Sequence, residues 1–274
     1  MSTQTYFLGS NSAAGFYSAY SSFCPPTDKN FLWVIKGGPG CGKSSFMRKI
    51  GSAAEKAGLD VEYVICSGDP DSLDGVYIPE RNVAYVDGTT PHVIEANYPG
   101  VNSLYLDLGR FYDCTKLQKN ADSIQTYTKK YKAKYSEAYA ALAVLPRLSL
   151  PTELPPSCAK RFHTAVTCKG IVTVKPPFPH EYVSRSELAS LLQNAAAEDI
   201  LYLHPIWTDT VLSIYSSKDH ILYTTNFTIP PCTIATNLLQ EAKSLHDELE
   251  QLYNPCVNFD GVYDLCQQHI ANYI

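Results

Sequence analysis

The sequence has 274 residues, of which 45% are hydrophobic and 18% charged, and its formal net charge is -5. A chain of this composition can build a hydrophobic core, which excludes wholesale disorder, and its length fits one large domain or two small ones. The negative balance argues against a protein whose main role is to wrap nucleic acid.

The cysteines indicate a reducing compartment. There are nine, an odd number spread along the chain with no C-x-x-C pair, so neither a disulfide framework nor a zinc site is predicted. Residues 1–8 lack the features of a signal peptide, and no run of about 18 apolar residues exists. We therefore expect a cytoplasmic protein that does not cross a membrane and whose cysteines are mostly buried.

A strand, a glycine-rich loop and a helix follow one another near the N-terminus. Residues 31–36 form an apolar run typical of a buried strand, residues 37–44 read G-G-P-G-C-G-K-S, and residues 45–50 have helical spacing. This order is typical of a phosphate-binding loop, in which backbone N–H groups and a helix N-terminus surround a phosphate chain. The predicted phosphate contacts are Gly37, Gly38, Gly40, Cys41, Gly42, Lys43, Ser44 and Ser45.

Two side chains of this segment have predicted chemical roles. Lys43 would reach the β- and γ-phosphates of a nucleoside triphosphate and act catalytically, and Ser44 would bind Mg²⁺. The alternative is a glycine-rich turn that happens to precede a helix. Cys41 is either a reactive thiol or a small residue that fills a variable position of the loop.

A second strand supplies a candidate metal ligand. Residues 82–87 are apolar and end in Asp87, at the position where a carboxylate beside the loop holds Mg²⁺. The alternative is a strand that ends in an ordinary Asp-Gly turn. Because Gly88 follows, the adjacent glutamate that polarises water in many ATPases is missing, which predicts slow hydrolysis and leaves the catalytic base unassigned.

Residues 67–75 are predicted to form a loop after a strand over residues 61–66. Loops at the carboxyl ends of strands line the ligand crevice in open α/β sheets. Asp69 and Asp71 are the candidate catalytic carboxylates there, able to position a water molecule or to accept a proton. The alternative is that they are turn formers.

The C-terminal half resembles a reduced copy of the first. Residues 7–15 are similar to 162–170, and residues 76–88 are weakly similar to 212–225. No G-K-S or G-K-T occurs in 158–226, and Thr224 takes the place of Asp87. We therefore predict a nucleotide-binding domain over 1–150 and a degenerate copy over 157–274, joined at the proline-rich segment 146–156; chance similarity of apolar strands is the alternative.

Helices are predicted after each copy. Residues 114–146 carry an apolar stripe at helical spacing, and residues 235–254 and 260–273 form the C-terminal helices. Four lysines lie beside the stripe: Lys116, Lys119, Lys130 and Lys134. They form either a contact surface for a polyanion or an acidic protein partner, or a solvated helix face.

Several stretches carry a resemblance to known proteins. Residues 34–44 are similar to the loop of the P-loop NTPase superfamily, and residues 66–75, 87–92 and 246–250 resemble an uncharacterised bacterial family of tandem P-loop ATP-binding proteins. Members of that family carry a phosphate loop in each half, whereas this sequence has only the first. The resemblance implies a mostly parallel α/β sheet with helices on both faces and a site for ATP and Mg²⁺.

Three functions remain open at this point. The first is a slow or regulated ATPase that acts as a nucleotide-dependent switch. The second is a small-molecule or nucleotide kinase, although no arginine-rich lid segment is visible. The third is a nucleotide-gated binding module without turnover. The absence of an N-K-x-D motif after the strand that ends at Asp87 favours ATP over GTP.

Overall fold

The structure is a computed structural model that describes residues 2–12, 15–18, 20, 23–24, 29–149 and 233–274. Between 162 and 225 it describes 162–164, 166–168, 170–171, 180–184, 186–187, 190–191, 194, 200–206, 209–216, 218 and 221–225. The chain forms two compact units. The first comprises Met1–Leu8, Ala19–Tyr131 and Lys243–Ile274, and the second comprises Gly9–Ser18 and Lys132–Ala242.

These units are not the consecutive domains 1–150 and 157–274 expected from the sequence. The last segment, Lys243–Ile274, belongs to the first unit, and the early segment Gly9–Ser18 belongs to the second. The expected boundary followed the proline-rich segment and the apparent repeat, which are local signals. Packing of the C-terminal segment decides the division instead.

The strands of the first sheet are β1 (Thr3–Tyr6), β4 (Phe31–Lys36), β5 (Val61–Ile65), β6 (Leu73–Ile78), β7 (Val83–Asp87) and β8 (Ser103–Asp107). Those of the second are β2 (Gly9–Ser12), β3 (Gly15–Ser18), β9 (Phe162–Thr164), β12 (His180–Tyr182), β13 (Ile200–Ile206), β14 (Asp209–Ser216) and β15 (Ile221–Thr225). A separate hairpin is formed by β10 (Val166–Thr167) and β11 (Gly170–Ile171). The helices discussed below are α1 (Lys43–Lys56), α2 (Cys114–Lys119), α3 (Ala121–Ser149), α4 (Thr233–Tyr253) and α5 (Phe259–Tyr273).

The sheet of the first unit has the order β1-β5-β6-β7-β4-β8. Every strand runs in the same direction except β6, which is antiparallel to both neighbours. An α/β fold with a mostly parallel sheet was predicted and is confirmed. Because the carboxyl ends of parallel strands share one edge, the segments that follow β4, β5, β7 and β8 meet there.

Strand β6 is the main local difference from the sequence prediction. The predicted loop over 67–75 ends earlier, because Leu73 begins β6 and Asp74 is a strand residue. Five of the six residues of β6 are buried, so the segment is held by the core. The expected strands 31–36, 61–66 and 82–87 are present as β4, β5 and β7.

The core of the first unit is closed by α1 and α5. Helix α1 buries Phe46, Met47 and Ile50 on one face, and α5 buries Val262 and Cys266 against the same cluster. The predicted C-terminal helices are present as α4 and α5. The chain's last segment is therefore part of the sheet's packing rather than an appendage of the second copy.

Five strands of the second sheet repeat the topology of the first. The second sheet has the order β12-β15-β14-β13-β9-β2-β3. Within it, β9 is parallel to β13, β13-β14-β15 is an antiparallel meander, and β15 is parallel to β12. The run β1-β5-β6-β7-β4 has the same senses in the same chain order.

The expected helix over 114–146 is two helices. Asn120 separates α2 from α3, and α3 continues past Pro146 to Ser149, so the linker does not begin at Pro146. Residues 150–161, which hold the rest of the predicted linker, lie outside the described residues. The apolar stripe does face inward, since Ala138 and Leu142 are buried.

Two of the four stripe lysines are already paired. Lys116 lies 3.2 Å from Asp113, and Lys134 lies 3.0 Å from Glu137 and 2.9 Å from Glu241. Exposed pairs of this kind are typical of a solvated helix face. They support that interpretation of the lysines over a contact surface for a polyanion.

The described cysteines are free thiols, and most are buried as expected. Cys24, Cys41, Cys168, Cys256 and Cys266 are buried, whereas Cys66 is partly buried and Cys114 exposed. Among the described helices, none combines the length and the apolar character that crossing a membrane requires.

Candidate phosphate-binding site

The segment 37–42 joins the end of β4 to the start of α1, and two of its glycines have left-handed backbones. Gly40 has φ +67° and Gly42 has φ +90°, conformations that cost other residues free energy. Gly40 also meets its surroundings closely, because a Cβ there would lie 2.5 Å from Asn254 Oδ1. The loop's shape therefore depends on glycine, as the sequence motif predicted.

Lys43 lies over this loop at the first position of α1. Its Nζ donates hydrogen bonds of 3.0 Å to the carbonyl oxygens of Gly37 and Gly38, and Asp87 Oδ2 is 3.6 Å away. Burial disfavours the ammonium, but the negative charge of Asp87, with a smaller contribution from Glu250, outweighs it and raises the pKa of Lys43. Lys43 is therefore a charged group held at the loop.

Asp87 ends the strand next to β4, and its carboxylate is fixed by the residue two positions on. Asp87 Oδ1 accepts hydrogen bonds from Thr89 N at 2.8 Å and Thr89 Oγ1 at 2.6 Å. Ser44 Oγ accepts a hydrogen bond of 2.9 Å from Leu73 N, which orients the hydroxyl. Carboxylate and hydroxyl oxygens are ligands that suit Mg²⁺, so the side chains of Asp87 and Ser44 fit the predicted metal.

Close packing explains why a glycine follows Asp87. A Cβ at residue 88 would lie 2.4 Å from Val34 Cγ1 and 3.0 Å from the carbonyl oxygen of Ile94. Lys36 holds the same segment, since its Nζ donates to the carbonyl oxygens of Gly88 at 2.9 Å and Ile94 at 2.8 Å. A glutamate cannot enter this position without displacing β4.

The two candidate catalytic carboxylates have different surroundings. Asp69 accepts hydrogen bonds from Asp71 N at 3.1 Å and from Ser72 Oγ at 3.0 Å, so it shapes the turn. Asp69 Oδ2 also lies 3.4 Å from Lys243 Nζ, towards α4. Asp71 is exposed, and its carbonyl oxygen accepts from Arg48. The turn-forming interpretation accounts for these hydrogen bonds of Asp69, which also lies next to the charged Lys243 of α4.

The end of α4 covers the loop, which sequence reasoning did not foresee. Gly40 N donates a hydrogen bond of 3.3 Å to Glu250 Oε1, and His246 Nδ1 lies 3.8 Å from the same carboxylate oxygen. Burial lowers the pKa of His246 despite the nearby Glu250. Residues 243, 246, 247 and 250 have the spacing of one helix face, a signal visible in the sequence. The loop that this face meets is more than 200 positions away, at 210 for the Gly40–Glu250 pair.

Two tyrosines complete the surroundings of the loop. Tyr112 donates a hydrogen bond of 3.2 Å to the carbonyl oxygen of Pro39, and its ring centroid is 5.4 Å from that of Tyr253. Burial raises the pKa of the Cys41 thiol, which is fully enclosed. A protonated, enclosed thiol is a poor nucleophile, so the packing interpretation of Cys41 is supported.

A second polar group lies among buried residues of the first unit. Asp74 Oδ2 accepts a hydrogen bond of 2.8 Å from Tyr20 OH and is 3.1 Å from His92 Nε2. Burial disfavours the imidazolium, but the charge of Asp74 outweighs it and raises the pKa of His92. The pair joins the segment after β7 to the start of β6.

The structure brings Lys43 and Asp87 together and places Ser44 beside Lys43 in the first turn of α1, whereas Ser45 is exposed. It places Asp71 at the surface and adds Glu250 to the loop. No protein-family model, no curated protein and no solved structure matches this chain.

Proposed function

We propose that the chain binds Mg-ATP through residues 37–45 and Asp87, and that it is a slow or regulated ATPase acting as a nucleotide-dependent switch. The proposal includes that the protein is a P-loop NTPase. When bound, Mg²⁺ would neutralise phosphate charge beside Ser44 and Asp87. The protein's own groups would hold and orient the phosphates.

One observation carries the proposal. Lys43 Nζ is held at 3.0 Å by two loop carbonyls and lies 3.6 Å from Asp87, at the start of α1. A cation, backbone amides and a helix N-terminus then face the same small region, and these are the groups that bind phosphates in proteins. A structural lysine would not need a glycine loop beneath it.

The repeated strand topology supports an origin by duplication. Five strands of each sheet share order, pairing sense and chain order. The last residue of β7 is Asp87, and the last residue of β15 is Thr225, one position from the Thr224 expected to replace it. We propose that the second unit derives from the first and has lost its phosphate and metal groups.

The arginines favour an ATPase over a kinase. Arg48 donates to the carbonyl oxygen of Asp71, Arg81 to that of Ile274, and Arg110 lies over the ring of Phe111. Each of these three arginines contacts another part of the fold, whereas phosphoryl transfer between small molecules uses arginines to stabilise the transferred group.

Calorimetric titration with Mg-ATP tests the binding claim. Lys43→Ala should weaken binding by about ten- to a hundredfold, because charge-assisted contacts contribute about 1.5–3 kcal/mol. Lys56→Ala is the matched control, since Lys56 is an exposed lysine in the last turn of the same helix. Equal affinity of the Lys43 variant and wild type would refute the site.

Product analysis separates the three functions. Slow release of phosphate without an acceptor supports the ATPase. ADP formation that depends on an added acceptor indicates a kinase, and tight binding without turnover indicates a gated module. Asp87→Asn should reduce the magnesium dependence of whichever activity is found.

A further inference from the structure

We propose that Glu250 competes with nucleotide for the phosphate-binding loop, so that ATP binds only after the end of α4 withdraws. The inference rests on the proposed function and concerns the regulation of that same site. We use the term latch for residues 246–254, the end of α4 and the residue after it, which lie against the loop.

The first argument is the contact itself. Glu250 Oε1 accepts a hydrogen bond of 3.3 Å from the backbone N–H of Gly40. Backbone N–H groups of such a loop are the donors that a phosphate oxygen would use. The carboxylate therefore occupies, by chemistry and by position, one of the contacts that phosphate requires.

The second argument is the close packing of the latch. A Cβ on Gly40 would lie 3.2 Å from the carbonyl oxygen of Glu250 and 2.5 Å from Asn254 Oδ1. A Cβ on Gly38 would lie 3.6 Å from the ring of Tyr253. The latch thus lies directly against two loop residues, which leaves little room for a triphosphate between them.

The third argument is charge. Glu250 places a negative charge at the loop, where its Oε1 accepts the hydrogen bond of Gly40 N. A triphosphate would bring several more negative charges to the same loop, and like charges in contact are strongly unfavourable in a partly buried site. A nucleotide and the carboxylate of Glu250 cannot both bind the loop, so the nucleotide-bound state and the state in which Glu250 contacts Gly40 exclude each other.

The test uses the full chain and two matched variants. Glu250→Gln removes the charge and weakens the latch, and Glu248→Gln makes the same change at an exposed position of the same helix. Calorimetric titration with Mg-ATP should show binding at least about tenfold tighter for the Glu250 variant only. If Glu250→Gln binds with wild-type affinity or more weakly, the proposal is overturned; unchanged affinity with lost turnover would make Glu250 a catalytic residue instead.

Amide hydrogen exchange provides a second readout. In wild type, saturating Mg-ATP should increase exchange in peptides covering 246–254 while protecting those covering 37–42. Binding of ATP without faster exchange in 246–254 would overturn the latch and leave the proposed function intact. If neither wild type nor the variant binds ATP, both fail. If the Gln variant does not melt at the wild-type temperature, it is replaced by Glu250→Ala, which also removes the charge.

Discussion

At the scale of single residues, close packing around the site excludes larger side chains. Gly88 lies against Val34, so the chain cannot place a glutamate directly after Asp87. Glu250 is the carboxylate that contacts the loop in the described structure, and it arrives from the far end of the chain.

The buried pair of Asp74 and His92 predicts a loss of stability at alkaline pH. Because the pKa of His92 is raised in the fold, its contribution is complete below the unfolded value of 6.5 and declines as the pH rises through the raised value. Asp74, Asp87 and Tyr20 are the titratable groups that face it. Chemical denaturation between pH 6 and 9 should show the decline.

Asp74→Asn should flatten this pH dependence and destabilise the fold by about 3–5 kcal/mol, because one partner of a buried ion pair remains. Asp264→Asn is the control, an exposed aspartate on α5. A parallel pH profile in wild type and the Asp74 variant would show that another group controls the alkaline limb.

Part of the site could be predicted from the sequence, because the residues that determine it are neighbours along the chain. The conformations of Gly40 and Gly42 and the position of Lys43 follow from a short motif that includes its own strand and helix. Asp74, placed in a loop from the composition of the segment, lies in β6 because neighbouring apolar residues bury that strand. The spacing of residues 243, 246, 247 and 250 on one helix face is visible in the sequence, but the loop that this face meets is set by tertiary packing.

At the scale of elements, α5 is the helix that closes the core. His269 Nδ1 lies 3.1 Å from Tyr85 OH, and the imidazole packs edge-on against Trp33 and Phe46. Burial lowers the pKa of His269, so the fold holds it neutral. Its contribution is therefore present above pH 6.5 and lost as the pH falls through the lowered value.

His269→Phe should remove this acid dependence while keeping an aromatic ring in the cluster. The lost hydrogen bond to the buried hydroxyl of Tyr85 should cost about 1–3 kcal/mol at neutral pH. Thermal melts at pH 4.5 to 7.5 measure both effects, with the exposed Tyr263→Phe as control. If the variant and wild type lose stability equally on acidification, His269 is not the group that titrates.

At the scale of the whole molecule, the discontinuous division of the chain has a direct test. A chain of residues 1–150 lacks α5 and leaves the surfaces of α1 and β4 that it covers exposed, so it should show no cooperative thermal transition. A chain that joins 1–131 to 243–274 restores the first unit and should melt cooperatively. Cooperative melting of 1–150 alone would favour consecutive domains over this division.

The pairing of β5, β6 and β7 shows how much of the sheet the apolar runs in the sequence predicted. The apolar runs identified three strands, but not β6, the reversed strand that lies between β5 and β7. Strand direction is decided by connection and packing rather than by composition.

The distance along the chain between Gly40 and Glu250 also governs the order of folding. During synthesis the loop emerges early, but its covering helix and the α5 side chains that complete its core are made more than 200 residues later. Contacts of such high sequence separation slow folding, and the incomplete sheet exposes apolar surface until they form. We therefore expect the nascent first unit to bind chaperones until residues 243–274 are made.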